Sequence, residues 1–167
     1  MNNLMFVQII LDGLLLSLGL SVIVLGGMYL NPRLMLQDYP KEIQAKLPPM
    51  TPAEKKQRVV MWLLSFGFIL AVLLYSNAKL IARTGQANFV PLVVNTYFVF
   101  EVFNLFDLLI LDYLIIMVLK PRFLFIPCAQ AMGQSNTFAF HFKGFLKGLL
   151  YGTLISLIVA GVLNYIL

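Results

Sequence analysis

Charge, histidine and cysteine are all scarce in this chain. Only 11% of its 167 residues are charged, and it has one histidine and one cysteine. A single cysteine, Cys128, excludes an internal disulfide framework and a multi-cysteine metal site. A single histidine, His141, excludes a bis-histidine haem and a zinc site of the usual kind. The sequence has no phosphate-binding glycine loop and no serine nucleophile elbow. We therefore predict no metal, no cofactor and no catalytic motif of a familiar kind.

Hydrophobic residues dominate instead, at 60% of the chain with a mean hydropathy of +0.89. They gather in four long blocks, each longer than the roughly 20 residues that cross a bilayer. The fold class predicted is an all-α integral membrane four-helix bundle, a single transmembrane domain over residues 1–167. The first block lacks a basic residue before it and a cleavage site after it, so we interpret it as a retained helix. The predicted spans are 5–30, 59–82, 92–119 and 145–166.

Basic residues concentrate in two of the three loops. The loop after the first block and the loop after the third, with the start of the fourth block, hold ten of the twelve Lys and Arg residues. By the positive-inside rule these loops are cytoplasmic in a cell membrane, and both termini face outward. The net charge of +5 then indicates contact with lipid head groups rather than with nucleic acid.

Both of these loops have signals for additional helix. Thr51-Pro52-Ala53-Glu54 is typical of a capping box, which predicts a helix running from there straight into the second span. Phe138, Phe142 and Phe145 fall on one helical face, which predicts an interfacial helix leading into the fourth span.

The third span carries acidic residues, which are energetically costly in the hydrocarbon core of a bilayer. A charge at the centre of a span costs roughly 2.5–3.5 kcal/mol. Counted from Lys120 at about 1.5 Å per residue, the bilayer centre falls near Ile110, between Asp107 and Asp112. In an α-helix these two aspartates would lie about 140° apart. So broad a polar arc predicts that the third span is the central helix or faces a partner.

The predicted ion- or proton-binding residues share a place inside a span: Asp107, Asp112, Asn104, Glu101 and Asp12. The same count places Asp12 and Glu101 at the outer boundary, where pairing with Lys79 or Arg83 is the plainer interpretation. For the two deep aspartates, a buried hydrogen-bonded set that locks helices together is the alternative to a transport or catalytic role.

The fourth span has small residues at every fourth position. This small-xxx-small pattern lets two helix backbones approach closely. Two interpretations stay open: packing within one subunit, or the interface of a homo-oligomer. The predicted packing residues are Gly144, Gly148, Gly152, Ser156 and Ala160.

A basic group near the inner ends of the third and fourth spans is a candidate lipid head-group site: Lys120, Arg122, His141, Lys143 and Lys147. Solvation of helix ends explains the same residues equally well. His141 is predicted to be an interfacial side chain, and Cys128 a lone thiol with no base beside it.

Three functions fit these observations. The first is proton- or cation-coupled transport or conduction through the carboxylates of the third span. The second is a non-catalytic accessory or scaffold subunit, with the bilayer and a membrane partner or second copy as its contacts. The third is a lipid-modifying membrane enzyme with a deep aspartate as acid or base.

Overall fold

The structure, a computed structural model, describes residues 3–39, 41–124, 126 and 138–167. Within these ranges there are five α-helices and no strand. Helix α4 continues without a break as a π-helix, Asp107–Leu119, and the segments Pro32–Asp38 and Arg122–Leu124 are 3₁₀ turns. Cys128 lies outside the described residues. The helices are α1 (Asn3–Leu30), α2 (Lys41–Lys46), α3 (Pro52–Thr84), α4 (Phe89–Phe106) and α5 (Phe138–Ile166).

Four of these helices are long and apolar enough to cross a membrane: α1, α3, α4 with its π extension, and α5. They pack as a bundle, which confirms the predicted fold class. Leu4, Val22, Leu63 and Ile158 point outward and are each more than half exposed. Side chains of this kind on the outside of a bundle fit a lipid environment, where apolar surface carries no penalty.

Helix α4 is the central helix. Its contact with α5 is the most extensive between any two helices of the bundle, and it also contacts α1 and α3. Its Val99 is fully buried beside Leu16 of α1 and Leu73 of α3. Helix α4 with its π extension therefore contacts each of the other three long helices, as expected for the span predicted to be central.

The N-terminus of α3 has the predicted capping box. The backbone N–H of Glu54 donates to Thr51 Oγ1 at 3.2 Å, and the N–H of Thr51 donates to Glu54 Oε2 at 2.7 Å. The other carboxylate oxygen of Glu54 lies 2.8 Å from Arg33 Nε, in the 3₁₀ segment after α1. Helix α3 then runs without interruption to Thr84, as the sequence predicts. The cap thus also fixes the first loop against the bundle.

The start of α5 likewise follows the prediction. The helix begins within the aromatic segment, at Phe138, and runs into the fourth span. Phe138 stacks on Phe142, and Phe142 on Phe145, each pair with ring centroids 5.9 Å apart. The three rings therefore share one face.

The small-residue stripe of α5 packs against α4 of the same chain. A β-carbon at Gly148 would collide with the side chain of Asn104, and one at Gly152 would collide with those of Glu101 and Phe100. Ser156 and Ala160 are fully buried further along. Only Gly144 faces open space. Of the two interpretations of the stripe, packing within one subunit accounts for four of its five members.

The second half of the third span departs from the expected α-helix. From Asp107 its hydrogen bonds join residues five apart, and the last one runs from Lys120 N–H to the Ile115 carbonyl at 2.9 Å. Lys120 ends the segment in the left-handed region, with φ 46° and ψ 53°, just before Pro121. A proline disfavours the helical region for the residue that precedes it. Hydrophobic periodicity could not reveal the change, because this stretch is apolar on nearly every side.

Candidate functional site

A cleft of about 680 Å³ opens between α1, the α4–π helix, α5 and the 3₁₀ segment after α1. Its volume lies in the range of small-molecule sites, about 300–1,000 Å³. Most of the wall is apolar, with Val24, Met28 and Leu111 among its residues. Six polar side chains predicted from the sequence share this wall: Asn104, Asp107, Asp112, His141, Lys143 and Lys147.

Asp112 and His141 lie within ion-pairing distance of each other in this wall. His141 Nδ1 lies 2.9 Å from Asp112 Oδ2. An ionised carboxylate only accepts hydrogen bonds, so we assign a proton to the Nδ1 that faces it. The other ring nitrogen, Nε2, is buried and has no hydrogen-bond partner among the described residues. An unsatisfied buried nitrogen is costly in a stable fold, and a water molecule or a ligand in the cleft can supply the missing hydrogen bond.

The structure places His141 inside the bundle. Only 8% of the residue is exposed, where the sequence predicts an interfacial side chain, and its ring lies beside Asp112. Sequence could not reveal the pair, because 29 positions separate the two residues and only the packing of α5 on the π-helix brings them together.

The π-helix explains why Asp107 and Asp112 line one cleft. The prediction that they lie about 140° apart assumed α-helical geometry, whereas this segment is a π-helix. When hydrogen bonds join residues i and i+5, each residue rotates the chain by less than in an α-helix, so the angle between residues five apart is smaller. The wider turn therefore brings both aspartates towards the same side.

Asn104 connects α4 to α5. Its side-chain amide donates to Glu101 Oε2 at 2.9 Å and to the backbone carbonyl of Phe145 at 3.1 Å. Glu101 is not part of the cleft wall and makes no ion pair with Lys79 or Arg83. It lies against Gly152 of α5 instead. The structure therefore lacks the ion pair of Glu101 with Lys79 or Arg83 that was the plainer interpretation of this residue.

Asp12 does pair with Lys79, as its plainer interpretation predicts. Lys79 Nζ lies 2.6 Å from Asp12 Oδ1, and Asp12 is only 3% exposed. The pair joins α1 to α3 and is not part of the cleft wall. The five residues predicted to bind an ion therefore do not converge: Asn104, Asp107 and Asp112 line the cleft, and Asp12 and Glu101 do not.

A buried polar network beside that pair was missed in the sequence. Asn77 Nδ2 donates to Thr96 Oγ1 at 2.6 Å, and Asn95 Nδ2 donates to Ser76 Oγ at 3.0 Å. All four residues are fully buried between α3 and α4. The available signal was two asparagines inside otherwise apolar spans, since such groups in a bilayer need protein partners.

The predicted head-group residues divide into two sets. His141, Lys143 and Lys147 line the cleft, whereas Lys120 and Arg122 are exposed and do not. Because His141 contacts Asp112 and Gly148 contacts Asn104, the two lysines of α5 lie alongside residues 104–112 of α4 and its π extension.

Apolar packing lies between the cleft and the buried polar network. Val99 and Phe100 separate Thr96 from Glu101 along α4, and they join the cluster that includes Leu16 and Leu73.

Comparison of the chain with protein-family models, curated proteins and solved structures finds no match. Within the described residues, no group of three or more His, Cys, Asp or Glu side chains could hold a metal ion.

Proposed function

We propose that this chain is a membrane protein whose cleft performs acid–base chemistry on an amphiphile dissolved in the bilayer. The observation that supports it is the Asp112–His141 pair, with His141 Nδ1 2.9 Å from the carboxylate and Nε2 without a hydrogen-bond partner among the described residues. The pair lies in the wall of a mostly apolar cleft large enough for a small ligand. Of the three functions compatible with the sequence, this is the lipid-directed one.

The chemistry follows from the orientation of the ring. Nε2 of His141 takes the proton of a hydroxyl group on the bound molecule as that oxygen attacks an ester carbonyl carbon, so that the O–H bond breaks as the N–H and C–O bonds form. Asp112 holds the ring and stabilises the imidazolium that results, which then gives its proton to the ester oxygen that leaves as an alcohol. A positioned acid–base group of this kind contributes about 10²–10⁴-fold to a rate. The carboxylate acts through histidine, which makes Asp112 a positioning residue.

The direct test follows lipid composition over time. Protein in liposomes of total membrane lipid is incubated, and the lipids are resolved by mass, for the wild type and for His141→Gln. We expect a lipid to be converted by the wild type and its conversion to fall about 100-fold or more in the variant. Arg122→Gln, an exposed change outside the cleft, is the matched control. Conversion that persists in His141→Gln would overturn the acid–base role.

The distribution of basic residues supports an orientation in which the cleft opens toward the cytoplasm. The first and third loops flank that end of the bundle and hold most of the Lys and Arg residues. Single cysteines introduced at Lys46 and Asn88 of a Cys128→Ser chain test this in intact cells. A membrane-impermeant thiol reagent should label the Asn88 position from outside and leave the Lys46 position unlabelled. The reverse pattern would contradict the orientation.

Proton- or cation-coupled transport is the second candidate, because polar groups recur along α4 at Asn95, Glu101, Asp107 and Asp112. A path through one chain would have to wet the apolar cluster around Val99 and Phe100. Flux in proteoliposomes tests this with the wild type and the Asp107→Asn, Asp112→Asn double variant. Loss of flux in the double variant would support transport. Flux that the double variant retains would exclude these carboxylates as the transport site.

A further inference from the structure

Two lysines give the cleft a cationic side. Lys143 and Lys147 are four residues apart on α5, so they lie on one face of that helix. Both are exposed to the cleft rather than buried in protein. No ion pair involving either lysine is found in the described part of the chain. A lysine presents a compact positive charge with three donors, which suits an anionic group such as a phosphate or carboxylate.

Much of the remaining cleft wall is apolar. Val24, Leu25 and Met28 of α1 line it, together with Leu111 and Ile116 of the π-helix. A small inorganic anion would leave these residues uncovered, whereas an alkyl chain would cover them. A cationic side and an apolar side within one cleft are complementary to an amphiphile.

Gly144 keeps the space between the two lysines open. It lines the cleft, and a β-carbon added there would meet no atom of the described residues within 4 Å. The backbone between Lys143 and Lys147 therefore borders empty volume, in contrast to Gly148 and Gly152, which are filled by α4 side chains. Of the α5 glycines that face open space, Gly144 lines this cleft and Gly161 does not.

We propose that the cleft binds a single-chain anionic amphiphile. Lys143 and Lys147 hold the anionic head group, and the chain lies along the apolar residues of α1 and the π-helix. A volume of about 680 Å³ accommodates one chain rather than a whole two-chain phospholipid. The carboxylates of Asp107 and Asp112 also line the cleft, and Asp112 faces His141, so the head group contacts the two lysines of α5. This inference rests on the proposed function, since it names the class of molecule on which His141 would act.

Binding in phosphatidylcholine nanodiscs tests the inference with probes of one chain length. Dodecyl phosphate and laurate carry anionic head groups, dodecyltrimethylammonium carries a cationic one, and inorganic phosphate has no chain. We expect both anionic amphiphiles to bind at least tenfold more tightly than the cation, and inorganic phosphate not to compete with them. The relative affinity of the two anions distinguishes a phosphate from a carboxylate ligand. Equal binding of the cation, or displacement by inorganic phosphate, would overturn the inference.

Two pairs of variants locate the binding. The double variant Lys143→Gln, Lys147→Gln should bind dodecyl phosphate at least tenfold more weakly than the wild type. The double variant Lys46→Gln, Lys55→Gln, which lies outside the cleft, should bind it as the wild type does. Gly144→Leu should abolish binding by filling the cleft, whereas Gly161→Leu, also facing open space on α5, should leave it unchanged. If the cleft variants behave as their controls do, the inference is wrong even where the anion binds.

His141→Gln separates this inference from the proposed function. The head group is held by the lysines, so the variant should bind dodecyl phosphate within a few-fold of the wild type. Binding that survives in the variant without any lipid conversion by the wild type would contradict the acid–base role alone. Loss of the anion preference with conversion intact would contradict the ligand class alone.

Discussion

The side chain of Asn104 occupies the space that a β-carbon at position 148 would need. This close approach of α4 and α5 explains why position 148 carries glycine, and it lets the Asn104 amide reach the Phe145 carbonyl. The same contact fixes the register that places His141 beside Asp112. A packing detail thus determines which groups line the cleft.

Gly148→Ala should destabilise the fold by about 1–3 kcal/mol, the usual cost of overpacking. The new methyl group would displace Asn104 and break its hydrogen bonds to Glu101 and Phe145. Unfolding in mixed detergent micelles measures the change. Gly161→Ala on the same helix meets nothing within 4 Å and should be close to neutral. Equal effects at the two positions would contradict the packing described here.

Gly13→Ala should cost at least as much as Gly148→Ala. A β-carbon at Gly13 would collide with Val102 Cβ, which is attached directly to the α4 backbone and cannot rotate away. The substitution therefore forces α1 and α4 apart, whereas Asn104 can rotate. The same unfolding assay compares it with Gly26→Ala, which lies in α1 and faces open space. A tolerated Gly13→Ala would mean that the two helices are not in close contact.

Lys79→Met should destabilise the protein by about 3 kcal/mol, because removing one partner leaves a buried charge uncompensated. Asp12 is 3% exposed, whereas the Lys79 side chain is 30% exposed, which places the loss at the low end of the usual range. Adding Asp12→Asn should restore most of the stability, since the neutral amide needs no counter-charge. A double-mutant cycle in mixed micelles measures the coupling, and strictly additive losses would exclude a direct ion pair.

The imidazole of His141 should carry its proton on Nδ1, because that nitrogen lies 2.9 Å from the Asp112 carboxylate. It is the only histidine of the chain, so nitrogen NMR of the labelled protein reports it without overlap. Asp112→Leu should end the preference for the Nδ1–H form, whereas Asp12→Asn, outside the cleft, should preserve it. An Nε2–H ring in the wild type would contradict the assigned hydrogen bond.

Thr51→Ala should fray the start of α3 and cost about 1 kcal/mol, a typical value for the loss of a helix cap. The backbone N–H of Glu54 would lose its side-chain acceptor. Amide hydrogen exchange should accelerate in the first turn of α3 and stay unchanged near Leu73 in its buried middle. Glu54→Gln keeps the hydrogen-bonding groups of the box but weakens the contact with Arg33, so it should have the smaller effect. A larger effect of Glu54→Gln would make the ion pair the dominant contact.

Much of the architecture can be read from the sequence. Four apolar blocks, the Thr51–Glu54 cap and the proline after Lys120 are local signals, and each predicts an element that the structure has. The carboxylates of the third span also predict that this span lies at the centre of the bundle. Local signals suffice here because backbone groups in a bilayer must be satisfied within the helix, which leaves the chain few alternatives.

The composition of the site was decided by tertiary structure. The π-helix brought Asp107 and Asp112 to one side, although α-helical spacing separates them. The contact of Gly148 with Asn104 placed His141 beside Asp112 and kept Lys143 and Lys147 in the cleft. These relations depend on helix type and on the register between distant segments. Neither leaves a periodic trace in a sequence that is apolar on nearly every face, so the sequence determined the elements and packing determined which of their polar groups meet.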